Sequence, residues 1–103
     1  MMRDEDWLDL LDKLERTYSD FQMADLKLRK ASNKKSKAEA AQEVQSCMNL
    51  AIMWIKTYRE AYISYLGVDS KGLDRSVVWS ELSNPRYFKI EVPKFIEKLK
   101  EIV

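Results

Sequence analysis

Asp9, Asp12 and Glu15 recur every three residues near the start of a chain of 103 residues. On a helix that spacing sets the carboxylates near one face, where their oxygens could gather a magnesium ion. A metal-dependent nucleotide hydrolase built on helices would need a second acidic motif opposite the first. The second helix offers only Glu39 and Glu43, near its exposed start, and no further acid until Glu60. The simpler reading is a solvated face that suits the positive end of its own helix. Neither a metal nor a cofactor is expected.

A second group is basic. Residues 27–37 contain Lys27, Arg29, Lys30, Lys34, Lys35 and Lys37 and no acid, whereas residues 1–26 hold three basic and eight acidic side chains. The formal net charge of +1 therefore conceals a strongly polar molecule. A basic tip of this kind can reach phosphates without disturbing a core, which makes an RNA- or DNA-binding hairpin the alternative function. No aromatic residue interleaves with the lysines, so a base-stacking platform is not indicated. Compensation of a helix dipole plus a solvated loop accounts for the same residues without any ligand.

The third group is aromatic. Trp54, Tyr58, Tyr62 and Tyr65, with Arg59 beside them, are of the types that dominate protein interfaces, and Trp79, Tyr87 and Phe88 add to them further on. A stripe at this spacing also describes a helix core, and both readings stay open.

Other chemistry is excluded outright. With no histidine, serine and cysteine triads and histidine-based zinc sites cannot be built. One cysteine, Cys47, permits no intrachain disulfide, and its apolar neighbours mark it as a small buried hydrophobe. Two isolated glycines cannot form a phosphate-binding loop. The longest apolar run, residues 50–55, is far short of the ~20 residues that span a bilayer. The first residues, Met1-Met2-Arg3-Asp4-Glu5-Asp6, are acidic where a signal peptide would be basic and then apolar, so a cytoplasmic protein with no membrane contact is expected.

Long helices must position these groups. Trp7, Leu11, Leu14, Tyr18, Phe21 and Leu28 follow a heptad stripe interrupted only at Asp25, which predicts a helix over 6–30. Asp25 either sits at the boundary of that stripe or, if buried, requires a partner such as Arg59 or a helix cap. Ser36 and Glu39 have the spacing of a capping box, and Gly67 supplies a left-handed stop. Between them Ala41, Val44, Met48, Ala51, Ile55, Tyr58, Tyr62 and Tyr65 predict a helix over 37–66. Leu50, Ile52, Met53 and Trp54 make the other faces of its middle apolar too, so more than one side should be covered.

The remaining third is broken. Asp74 is expected to cap a short helix bearing Val77, Val78, Trp79 and Leu82, and Asn84-Pro85 either stops it or begins another. Residues 87–92 alternate like a short extended piece, and Pro93 is expected to open a last amphipathic helix. The predicted fold is all-α: an antiparallel helical hairpin closed by two short C-terminal helices, a three- to four-helix bundle forming one domain over 1–103. Such hairpins resemble HEPN-type ribonuclease domains in architecture. That family's catalytic arginine-and-histidine motif cannot exist here, so the resemblance implies an inactive relative and concerns fold alone.

The expected function is non-enzymatic: stoichiometric binding to another protein, as in inhibitors, antitoxins, immunity proteins or phage anti-defence proteins. A hairpin this long with so little chain left to cover it also leads us to expect a homodimer.

Overall fold

In a computed structural model, residues 2–67 and 81–102 are described. They form four helices and no strand, so the all-α bundle is the fold. The first, α1, spans Asp4–Lys30. Acidic side chains crowd its first turn and basic ones its last, complementing the helix dipole. The Asp6 carboxylate also accepts the Arg3 backbone N–H at 3.0 Å, satisfying a donor that the helix leaves unpaired. Leu10, Leu14, Thr17, Phe21 and Ala24 form its buried ridge. The Thr17 hydroxyl can lie there because it donates to the Lys13 carbonyl at 2.7 Å.

The second helix, α2, spans Lys34–Thr57. Its cap is Asn33, whose carboxamide oxygen accepts the Ser36 N–H at 2.8 Å, so the expected Ser36–Glu39 capping box is replaced by a cap three residues earlier. The helix expected to run unbroken to residue 66 instead stops at Tyr58, with φ −109° and ψ 49°, and resumes as α3 over Arg59–Leu66. The Tyr58 hydroxyl donates to the Asp9 carboxylate at 2.6 Å, pinning this break to α1. Gly67 ends α3 at φ 70°, the left-handed conformation that glycine adopts without steric cost.

The last helix, α4, spans Pro85–Ile102. Asn84 begins it, its carboxamide accepting the Arg86 N–H at 3.0 Å, and proline fills the first helical position. The extended piece expected over 87–92 is therefore helical. Pro93 does not open a helix but sits inside one. Lacking an N–H, it leaves the Lys89 carbonyl without its helical donor, and the Tyr18 hydroxyl reaches that carbonyl at 3.4 Å. The expected helix capped by Asp74 and carrying Val77, Val78 and Trp79 lies outside the described residues.

Contacts between α1 and α2 reverse in order: Asp9 meets Tyr58, Lys13 lies over the Trp54 ring at 4.3 Å, and Lys27 meets Glu43. The two helices are thus antiparallel. Across one side of this pair lies α4, packed on α1 and α3. Phe88 contacts Phe21 with ring centroids 4.7 Å apart, and Phe95 meets Tyr62 edge-on at 5.0 Å. Most of the buried apolar residues join in one cluster.

Candidate functional site

The aromatic candidates separate by depth. Tyr62 and Phe88 are both 0% exposed, so their expected role at an interface is corrected to core. The reason is the length of α4. Its 18 residues form one continuous helix, long enough to reach both the Phe21 ring on α1 and the α3 tyrosines. Tyr65 and Tyr87 are half-buried around the same contact. The Tyr87 hydroxyl lies near that of Tyr62, and the Glu91 carboxylate near that of Tyr65. Burial first, and these neighbours next, push the Tyr62 and Tyr65 hydroxyls far above the ordinary tyrosine range, so both stay neutral in the folded protein. Trp79 lies outside the described residues.

Trp54 and Tyr58 sit elsewhere, half-buried on the opposite side of the α1–α2 pair. Tyr58 shares the Asp9 carboxylate with the Lys13 ammonium, which approaches it at 2.9 Å. These two hydrogen bonds hold Asp9 below the usual carboxylate range. Of the acidic trio, Asp9 is engaged by Lys13 and Tyr58, and Asp12 pairs with Arg16 at 3.3 Å. No cluster of three metal-ligating side chains occurs among the described residues. Arg59, at the start of α3, is half-buried beside Tyr58 and Glu60 around a hollow of about 300 Å³.

At the basic tip the two helix ends behave differently. Lys27, Arg29 and Lys30 occupy the last turn of α1, where positive charge is favoured, and two are paired: Lys27 with Glu43 at 3.4 Å and Arg29 with Asp25 at 3.5 Å. Asp25 takes Lys89 as a second partner at 3.2 Å, so it is an anchored boundary carboxylate and Arg59 is not its partner. Lys34, Lys35 and Lys37 lie in the first turn of α2 or next to it, where no acid stands and where the dipole disfavours them. Together with Lys30 they make no ion pair with the described residues. Dipole compensation therefore explains half of the tip and not the other half.

The arrangement least visible in the sequence is a shallow groove between α1 and α2, on the side away from α4. Its deeper part, about 730 Å³, is lined by Asp20, Met23, Lys27, Glu43 and Cys47 among others, and it continues towards the tip past Leu26, Lys30 and Ala40. Met23 is 59% exposed and Leu26 lies bare beside it. Leu50, also exposed, follows on α2 one turn from both Cys47 and Trp54, whereas Met53, exposed too, lines a separate hollow with Asn49, Ile52 and Lys56. Burial, with Asp20 and Glu43 nearby, pushes the Cys47 thiol up, so it lines the groove as an apolar group and not as a nucleophile. Leu50 and Met53 had a signal, the surplus of apolar residues in the middle of α2. Met23 and Leu26 had only their position off the stripe of α1.

Fold and site together define an all-α helical bundle with a face of the α1–α2 pair that no described helix covers, and no described helix is long and apolar enough to cross a membrane. No family model matches the chain, and no curated protein or solved structure matches it either.

Proposed function

We propose that this chain is a non-enzymatic helical protein that acts by stoichiometric binding to another protein, in the manner of an inhibitor, antitoxin, immunity or anti-defence protein. One observation carries the reading. Two exposed apolar side chains, Met23 and Leu26, line the α1–α2 groove that no described helix covers, and Leu50 lies exposed one turn along α2 from Cys47, which lines the same groove. Isolated apolar residues on a surface need no explanation, but grouped ones with a charged rim are the pattern of a protein contact. Its rim is supplied by Asp20, Lys27, Lys30, Glu39 and Glu43.

The test is capture from extracts of the native source by wild-type protein and by a Met23→Asp/Leu50→Asp variant. A stoichiometric partner should remain bound to the wild type at high salt, since apolar contacts are not screened, and should be lost from the variant. A partner captured equally by both would overturn the reading.

A second reading rests on a separate observation, the lysines Lys34, Lys35 and Lys37 placed against the dipole of α2. It assigns the tip to RNA or DNA. That mode weakens steeply with salt, by roughly one power of the salt concentration per phosphate contact. Nucleic-acid binding unchanged after replacing Lys30, Lys34, Lys35 and Lys37 by glutamate would remove it.

A further inference from the structure

We infer that the open face of the α1–α2 pair binds a second copy of this chain, turned end for end about a twofold axis close to Leu50. The inference rests on the reading of that face as a protein-binding surface and gives the surface its occupant in the free protein. Charge decides both the partner and its direction. The first 26 residues, nearly all of them in α1, carry a balance of −5, and the tip that follows, residues 27–37, carries +6. A copy laid parallel would set tip against tip, like charge on like. A reversed copy sets Lys27 and Lys30 of each chain near Glu5, Asp9 and Asp12 of the other. On α2 the acids Glu39 and Glu43 lie near the tip and Lys56 in the last turn, opposite in space to α1, and a reversed copy sets Glu39 and Glu43 of each chain towards Lys56 of the other. Complementary fields of this kind favour one orientation and suppress the other.

Register and size agree with this. The contacts Asp9–Tyr58 and Lys13–Trp54 fix which residues of α1 and α2 lie level, and they set Leu50 beside the middle of α1, near Thr17. A twofold axis there brings each Leu50 onto its own counterpart, as an isologous contact requires. Met23 lies to one side, and its flexible thioether suits a surface that must close over a shallow groove. The 27 residues of α1 run about 40 Å, and two helices side by side present roughly 20 Å of width. That gives roughly 800 Å² on each copy, the size of a standard interface.

Sedimentation of the full chain between about 1 and 100 µM should show a monomer–dimer equilibrium that weakens as salt rises from about 50 to 500 mM. Leu50→Glu should weaken it at least tenfold while leaving the helical circular dichroism unchanged. Ile90→Glu, at a site more exposed than Leu50 but on α4, should leave it as it was. Orientation is read from single-cysteine variants in a Cys47→Ser background. Leu50→Cys should form a disulfide dimer on oxidation, and Ser32→Cys at the tip should not. A mixture of Ser32→Cys with Glu5→Cys should cross-link. A chain monomeric at every concentration, or one that cross-links through Ser32→Cys alone, would overturn the inference. If the chain is monomeric and still captures a foreign protein in a manner that depends on Met23 and Leu50, only the second copy is lost. If capture is also indifferent to those residues, the protein-binding reading falls with it.

Discussion

Replacing Phe88 by alanine separates a core role from an interface role in one experiment. The ring is fully buried between α4 and α1, 4.7 Å from the centroid of Phe21 and 5.9 Å from that of Tyr18. Removing a buried phenylalanine costs about 3–5 kcal/mol, combining lost transfer energy with the cavity left behind. The higher helix propensity of alanine returns roughly 0.5 kcal/mol. A domain of this length is stable by only about 5–15 kcal/mol, so the variant should lose between about a sixth and nine-tenths of its stability. Urea titration followed by helical circular dichroism measures this, as a lower midpoint at unchanged slope. Ile90→Ala, 58% exposed on the same helix, should stay within about 0.5 kcal/mol of the wild type. A loss below about 1 kcal/mol for Phe88→Ala would refute the packing of α4 on α1, and with it the assignment of Phe88 to the core.

Three further outcomes follow from the same packing. Tyr18→Phe should cost about 1 kcal/mol in the wild type and little in a Pro93→Ala background, where the Lys89 carbonyl regains its helical donor; a double-mutant cycle with no coupling would contradict this. Stability should be level up to about pH 10 and fall above it, because Tyr62 and Tyr65 ionise far more readily in the unfolded chain than when folded, while Asp9, held low in the fold, withdraws its contribution as pH drops below about 4; unfolding midpoints across pH measure both limbs. Lys34→Glu with Lys35→Glu should raise the melting temperature, each exchange worth about 0.3–1 kcal/mol at low salt, since it places negative charge at the positive end of α2.

The long helices were legible because their heptad stripes and their terminal charges agree. The exact faces were less so. The stripe through Trp7, Leu11 and Tyr18 attracted attention by size, yet those residues flank the true ridge, which passes through Thr17 and Ala24. Small residues at close helix contacts leave little hydrophobic signal in a sequence. The break at Tyr58 has no glycine or proline to announce it. It is tied instead to Asp9, a partner 49 positions away in the chain. Pro93 misled for a related reason, since its cost is relieved by a hydroxyl from another helix. One continuous α4, in place of a short strand-like piece and a short helix, then covers the tyrosines that had looked available. At the site, composition pointed to aromatic residues, whereas the uncovered face is built from methionine and leucine. Which side of a helix stays bare depends on where its neighbours dock.

The central claim is that the α1–α2 face lacking α4 is the working surface. Once a captured partner is purified, calorimetric titration against wild type and the Met23→Asp/Leu50→Asp variant, at about 50 and 500 mM salt, tests it most directly. The account predicts one-to-one binding per chain that survives high salt and is lost in the variant. Binding that persists in the variant but vanishes with salt would contradict it and move the function to the basic tip.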